Sequence, residues 1–180
     1  MELSNILIFD NVLENPNEYI EDALSKPFID ISDGTNIFKG IQLVEDDEIE
    51  RKVKDVFTNT KVVYNFIRQS PKNQSEPNYI HSDKNDCDII AILYLNKDFP
   101  KNAGTTIYES QQTKSVVDKG TYEKPTRFKT SVKVSMKYNR LITFPSDLFH
   151  SRNIQENFGT GDSSRLVQVL FLNYKNKQDE

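Results

Sequence analysis

The chain is poor in side chains that do redox or metal chemistry. Its 180 residues include two histidines, one cysteine, two methionines and no tryptophan. A single cysteine, Cys87, excludes an intrachain disulfide and gives no reason to place the protein in an oxidising compartment, so a cytoplasmic location is expected. Long apolar runs are missing too. The longest, Ile89 to Leu95, is far too short to cross a bilayer. The opening MELSNILIFD has no basic flank before its apolar residues and does not read as a secretory signal. Nor is there an excess of positive charge. Lys plus Arg number 23 against 27 Asp plus Glu, a net charge of -4, which argues against a broad electrostatic grip on nucleic acid. What is present is 36% hydrophobic residues with 8 Tyr and 11 Phe, enough for one real core in one globular domain.

The hydrophobic periodicity changes along the chain. Residues 1–60 read as a support region with a short strand at Ile6 to Phe9 and two amphipathic helices. Asn15-Pro16 supplies a cap and a first-turn proline for one helix, whose apolar stripe is Tyr19, Ile20, Ala23 and Leu24. Ile49, Val53, Val56 and Phe57 form the stripe of the other, and Asp30 to Gly40 between them reads as a surface segment. Residues 61–174 are instead short β-rich runs between polar loops: Lys61 to Arg68, Asn78 to Asp83, Asp88 to Asn96, Gly104 to Tyr108, Arg140 to Phe144, His150 to Ile154 and Arg165 to Tyr174. That spacing predicts an antiparallel sandwich or barrel with the helices covering one sheet. Within it, residues 109–139 stand apart, with seven basic residues and one legible alternation at Val132, Val134 and Met136.

Both histidines fall at edges of predicted strands. In YIHSD, His81 and Asp83 are two apart, so in an extended chain they point to one face together with Tyr79. His150 follows the strand RLITF and the turn PSDLF. If it returns beside His81, two imidazoles and one carboxylate converge, the facial triad of non-haem Fe(II) oxygenases, which leaves coordination positions open. The H-x-D pair alone is unspecific, and Asp86 and Asp88 are close enough in sequence to compete as ligands.

The ordered set of motifs carries more. YIHSD, IIAILYLN, AGTTIY, RLITFPSDLFH and RLVQVLFLN, preceded by FDNVLENP, resemble the 2-oxoglutarate and Fe(II)-dependent dioxygenases, especially the prolyl-hydroxylase-like branch. The resemblance implies a double-stranded β-helix (jelly roll) with N-terminal helices packed on one sheet, and leaves residues 109–139 unmatched. It implies that His81, Asp83 and His150 hold Fe(II) and that Arg165 grips the distal carboxylate of 2-oxoglutarate, with O2 as the oxidant. Tyr94 and Tyr79 are the expected hydroxyl partners of the co-substrate. The gap of fifteen positions between His150 and Arg165 exceeds the usual one, so Arg152 and Arg68 stand as substitutes. Ala103-Gly104-Thr105 replaces a run that often ends in an acid.

The implied activity is hydroxylation of an unactivated C–H bond with release of succinate and CO2. Two other readings fit the same residues: a non-oxidative metal enzyme of this fold, and a non-catalytic jelly-roll binding module. The substrate stays open between a protein side chain, a small molecule and a nucleobase, and no membrane partner is expected.

Overall fold

The computed structural model describes residues 5–75, 80–110, 128–154 and 156–175. In chain order the elements are β1 (Leu7–Asp10), α1 (Pro16–Leu24), β2 (Ile29–Ser32), β3 (Ile37–Leu43), α2 (Glu48–Val56), β4 (Thr60–Ser70), β5 (Ile89–Tyr94), β6 (Gly104–Ser110), β7 (Phe128–Ser135), β8 (Arg140–Pro145), β9 (Phe149–Arg152) and β10 (Arg165–Tyr174). Two antiparallel sheets result. The larger runs β1-β8-β5-β10-β4-β3-β2, and the smaller runs β7-β6-β9. A lone bridge from His81 to His150 extends the smaller sheet beyond β9.

Alternation along the central strands divides the core in two. Leu93 of β5 and Leu166, Leu170 and Leu172 of β10 face α1 and α2, where they meet Ala23, Ile49 and Val53. Ile90 and Tyr94 of β5 and Val167 of β10 point the other way, toward Ile107, Val134, Ile142 and Phe144 between the sheets. Both faces of β5 and β10 are therefore covered, which explains their near-continuous apolar runs. Each buried leucine contributes roughly 1.5–3 kcal/mol. Among the described residues no helix is long and apolar enough to cross a membrane.

A polar clasp fastens the helices to the back of the larger sheet. Gln168 on β10 is fully buried, and its Nε2 donates to Asp47 Oδ2 at 2.6 Å and to Asn65 Oδ1 at 2.8 Å. Tyr19 of α1 reaches both Asp47 and Gln168 through its hydroxyl. Asp47 also caps α2 by accepting from the Glu50 amide at 2.7 Å. Asn15, by contrast, makes no side-chain cap. Its carbonyl takes the Tyr19 amide, and Pro16 opens α1.

Several expectations shift. The segment Asp30 to Gly40 is not merely surface chain, since it contains most of β2, the turn after it and the start of β3, which add two strands to one edge of the larger sheet. Ile29, Ile37 and Phe38 remain exposed there, so no burial alternation marks the strands in the sequence. The first sixty residues thus supply three strands as well as two helices. Within 109–139, Val132 and Val134 sit on β7, paired to β6, whereas residues 111–127 lie outside the described residues, as does Tyr79.

Candidate metal centre

The site is assembled by backbone pairing. The His81 amide donates to the His150 carbonyl at 3.1 Å and the His150 amide returns to the His81 carbonyl at 2.8 Å, so the two ligands face each other across the end of the smaller sheet. One residue pair inward, the Asp83 amide donates to the Ser146 carbonyl at 2.9 Å. Ser146 in turn donates its amide to Asp88 and its hydroxyl to the Cys87 carbonyl. The chain then turns sharply, with the amides of Asp86 and Cys87 both bonded to the Asp83 carbonyl. Asp83 is therefore clamped from both sides by the P-S turn after β8 and by its own turn.

His81, Asp83 and His150 present three ligand atoms within 4.8 Å of one another. His81 Nε2 lies 3.6 Å from Asp83 Oδ1, and His150 Nε2 lies 3.5 Å from Asp83 Oδ2. The imidazole centroids are 4.4 Å apart. Separations of this size bring one ligand atom from each residue within reach of a single divalent ion.

The protonation states fit as well. His150 Nδ1 lies 3.1 Å from the Leu148 carbonyl, an arrangement that places the proton on Nδ1 and leaves the Nε2 lone pair toward Asp83. The ring is packed edge-on against Phe144, centroids 5.0 Å apart. Burial, with a smaller push from His81, takes its pKa down to about 3, so it stays neutral. Burial raises the Asp83 carboxyl above its ordinary value, partly offset by His81. The neutral His150 imidazole, the His81 ring and the desolvated Asp83 carboxylate thus gather two imidazoles and one carboxylate at one point. A divalent metal fits that donor set.

On the inner face of the larger sheet Phe66, Ile92, Arg165, Val169 and Phe171 are only half-buried, while their outward neighbours Leu93, Leu166, Leu170 and Leu172 are buried. Tyr94 forms the far wall. It is fully buried and its hydroxyl meets Thr105 Oγ1 of the opposite sheet at 2.8 Å. Desolvation pushes its pKa up to about 12, although Thr105 and the nearby positive charge of Arg165 pull the other way.

Arg165 opens β10 opposite Ser70, its amide bonded to the Phe158 carbonyl at 2.9 Å. Arg68 pairs with Val167 across β4 and β10, and its Nε donates to the Lys39 carbonyl at 3.2 Å. Arg152 lies across from Thr105 on β9 and donates to Asn157 Oδ1 at 2.5 Å. Asp88 is taken up by the end of β10, where its Oδ2 accepts the Tyr174 amide at 2.8 Å. Among the described residues only His81, Asp83 and His150 cluster as ligands, and Asp86 and Asp88 stay outside that set. The reading of residues alone did not single out Thr105, Phe144, Ser146 or Leu148. Phe144 and Ser146 stand in the F-P-S stretch before His150, the one sequence signal that pointed to this corner.

No family model and no curated relative matches the chain. Solved structures do. The non-haem α-ketoglutarate-dependent epimerase SnoN from nogalamycin biosynthesis matches with a TM-score of 0.66 at 13% identity, over 96% of this chain and 81% of that one. A prolyl hydroxylase from Trichoplax adhaerens, in complex with a hypoxia-inducible-factor peptide, matches with a TM-score of 0.64 at 13% identity, over 98% and 86%. A viral collagen prolyl hydroxylase from Paramecium bursaria Chlorella virus-1 gives 0.58 at 12%, over 96% and 90%. The fold is the double-stranded β-helix.

Proposed function

We propose that the protein is an Fe(II)- and 2-oxoglutarate-dependent oxygenase of the prolyl-hydroxylase-like branch, hydroxylating an unactivated C–H bond. The observation that carries this reading is the convergence of the only two histidines in the chain with Asp83 in a fold shared with an α-ketoglutarate-dependent enzyme. Bound iron, together with 2-oxoglutarate and O2, supplies the oxidative decarboxylation to succinate and CO2 and the oxygen atom for the C–H bond.

The chain's own residues do the rest. His81, Asp83 and His150 would hold the metal through three donors and would leave its remaining positions to the co-substrate. The Leu148 carbonyl fixes the His150 ring, and the backbone clamp on Asp83 fixes the carboxylate, so the ligands need little reorganisation. Arg165 offers the distal carboxylate a planar fork of donors. Tyr94, kept as a neutral phenol by its burial, directs a hydroxyl to the same wall. The apolar lining of Ile92, Val169 and Phe171 keeps water scarce around the reacting carbon.

An anaerobic titration tests the reading. The parent should take up about one Fe(II) per chain and then bind 2-oxoglutarate, while His81→Ala with His150→Ala should hold no iron and keep the fold. Arg165→Ala should weaken 2-oxoglutarate binding by roughly 2–5 kcal/mol and leave iron affinity unchanged. Unchanged co-substrate affinity in Arg165→Ala would take the carboxylate role away from it.

A further inference from the structure

An apolar floor runs outward from the metal ligands across the larger sheet. It begins at Phe144 on β8, whose ring packs against His150 with centroids 5.0 Å apart. Register sets Phe144 beside Ile90 of β5, Ile90 beside Phe171 of β10, and Phe171 beside Tyr64 of β4. Directly opposed residues share a face, so these four stand in one row on the side of the smaller sheet. A second row follows two residues further along the strands, from Ile92 through Val169 and Phe66 to Leu43 of β3. No charged side chain stands in either row.

The cover over this floor runs out by degrees. Phe144 and Ile90 are each 1% exposed, Phe171 and Phe66 are half-buried, and Tyr64 and Leu43 reach 58% and 63%. The gradient follows the sizes of the sheets, three strands opposite seven. Three interstrand steps of about 4.8 Å put Tyr64 about 14 Å from Phe144, a length that one small molecule can bridge. The rings at the exposed end are set at steep angles. Tyr64 and Phe66 stand edge-on to Phe171, with centroids 6.2 and 6.3 Å away and interplanar angles of 79° and 74°. A planar aromatic guest meets both ring faces and ring edges there, the two arrangements in which aromatic quadrupoles attract. A peptide would find much less. β4 is paired on both sides, to β10 and to β3, so no free strand edge borders the floor. The two rows offer a chain of amides and carbonyls one hydroxyl, that of Tyr64, and peptide groups buried without partners are costly.

We propose that this floor holds the body of the substrate, and that the substrate is a neutral small molecule with a planar aromatic ring system. The proposal rests on the oxygenase reading above and adds Tyr64, Phe66 and Leu43 to it as specificity-determining residues. Such a molecule withdraws the exposed apolar surface of Tyr64 and Leu43 from water, whereas an ionised group laid on either row would lose its hydration and gain no partner within it.

The test uses tetralin, a neutral fused ring with an aromatic face and aliphatic C–H bonds. It is added without oxygen to protein carrying 2-oxoglutarate and Mn(II), whose unpaired electrons broaden the NMR signals of ligand protons near the metal. The parent should broaden the tetralin signals beyond the same protein carrying Zn(II). Tyr64→Ser and Leu43→Ser should each bind tetralin roughly 3- to 10-fold more weakly. Tyr64→Phe should bind it as the parent does, because the ring and not the hydroxyl makes the contact. All three variants should take up Fe(II) and 2-oxoglutarate as the parent does, which separates loss of the floor from a general loosening of the fold. Tetralin that fails to bind the parent, or binds both serine variants equally well, overturns the proposal, and normal uptake of Fe(II) and 2-oxoglutarate then leaves the oxygenase reading standing. A proline-rich peptide that binds where tetralin does not overturns it in favour of a peptide substrate. A parent that takes up neither metal nor 2-oxoglutarate overturns the oxygenase reading and this inference with it.

Discussion

Asp83→Asn should reverse its effect on stability when metal is added. In the metal-free protein the Asp83 carboxylate is a burden. Its side chain is 17% exposed, burial raises its pKa, and its oxygens lie 3.5 and 3.6 Å from the ring nitrogens of His150 and His81. The hydrogen bonds that hold residue 83 in place all use its backbone amide and carbonyl, which the substitution spares. An uncharged amide of the same shape removes a desolvated charge and loses no structural bond. In chelator, Asp83→Asn should therefore be more stable than the parent by about 0.5–2 kcal/mol, the usual gain when a functional residue is neutralised. Adding metal to 100 times its dissociation constant should stabilise the parent by about 2.7 kcal/mol and the variant hardly at all. The order of stability inverts, and urea unfolding in chelator and in excess Fe(II) under argon reads both halves. If Asp83→Asn is the less stable protein in chelator, Asp83 is a structural carboxylate and the reasoning fails.

Other consequences follow from particular contacts. Gln168→Leu should cost roughly 1–3 kcal/mol in urea unfolding, because it removes the donor to Asn65 Oδ1 and Asp47 and one of the two acceptors of the Tyr19 hydroxyl in the clasp behind β10. Gly104→Ala should unsettle the start of β6, since its φ is +144 and an added Cβ would stand 2.1 Å from the Val134 carbonyl oxygen. A loss of less than about 1 kcal/mol at Gly104 would speak against the register of β6 on β7. Cys87 should resist iodoacetamide at pH 8 in the folded protein and react once urea exposes it, because it is buried and desolvation pushes its thiol up to about 12.

Most of the strands were legible because their faces differ. The run Ile89 to Tyr94 and the long Arg165 to Tyr174 are buried on both sides, and Arg140 to Pro145 sits between covered neighbours, so apolar content alone marked them. The hairpin of β2 and β3 escaped because an edge with exposed isoleucines has no buried face to generate alternation. The triad was legible from scarcity and spacing, as two histidines at strand edges leave few arrangements. Its supports were not. The carbonyls of Leu148 and Ser146 act through the backbone, and a backbone acceptor leaves no residue-type signature. The partnership of Tyr94 with Thr105 crosses between sheets, a contact that depends on how the sheets face each other and not on either strand's pattern.

The central claim is that His81, Asp83 and His150 hold iron that turns over 2-oxoglutarate. The most direct measurement follows 2-oxoglutarate labelled in its 1-carboxylate, incubated in air with the Fe(II)-loaded protein. The account predicts labelled CO2 and succinate in equal amounts, both abolished by removing oxygen or by the His81→Ala, His150→Ala double change. Fully iron-loaded protein that releases no more labelled CO2 than iron in buffer would contradict it.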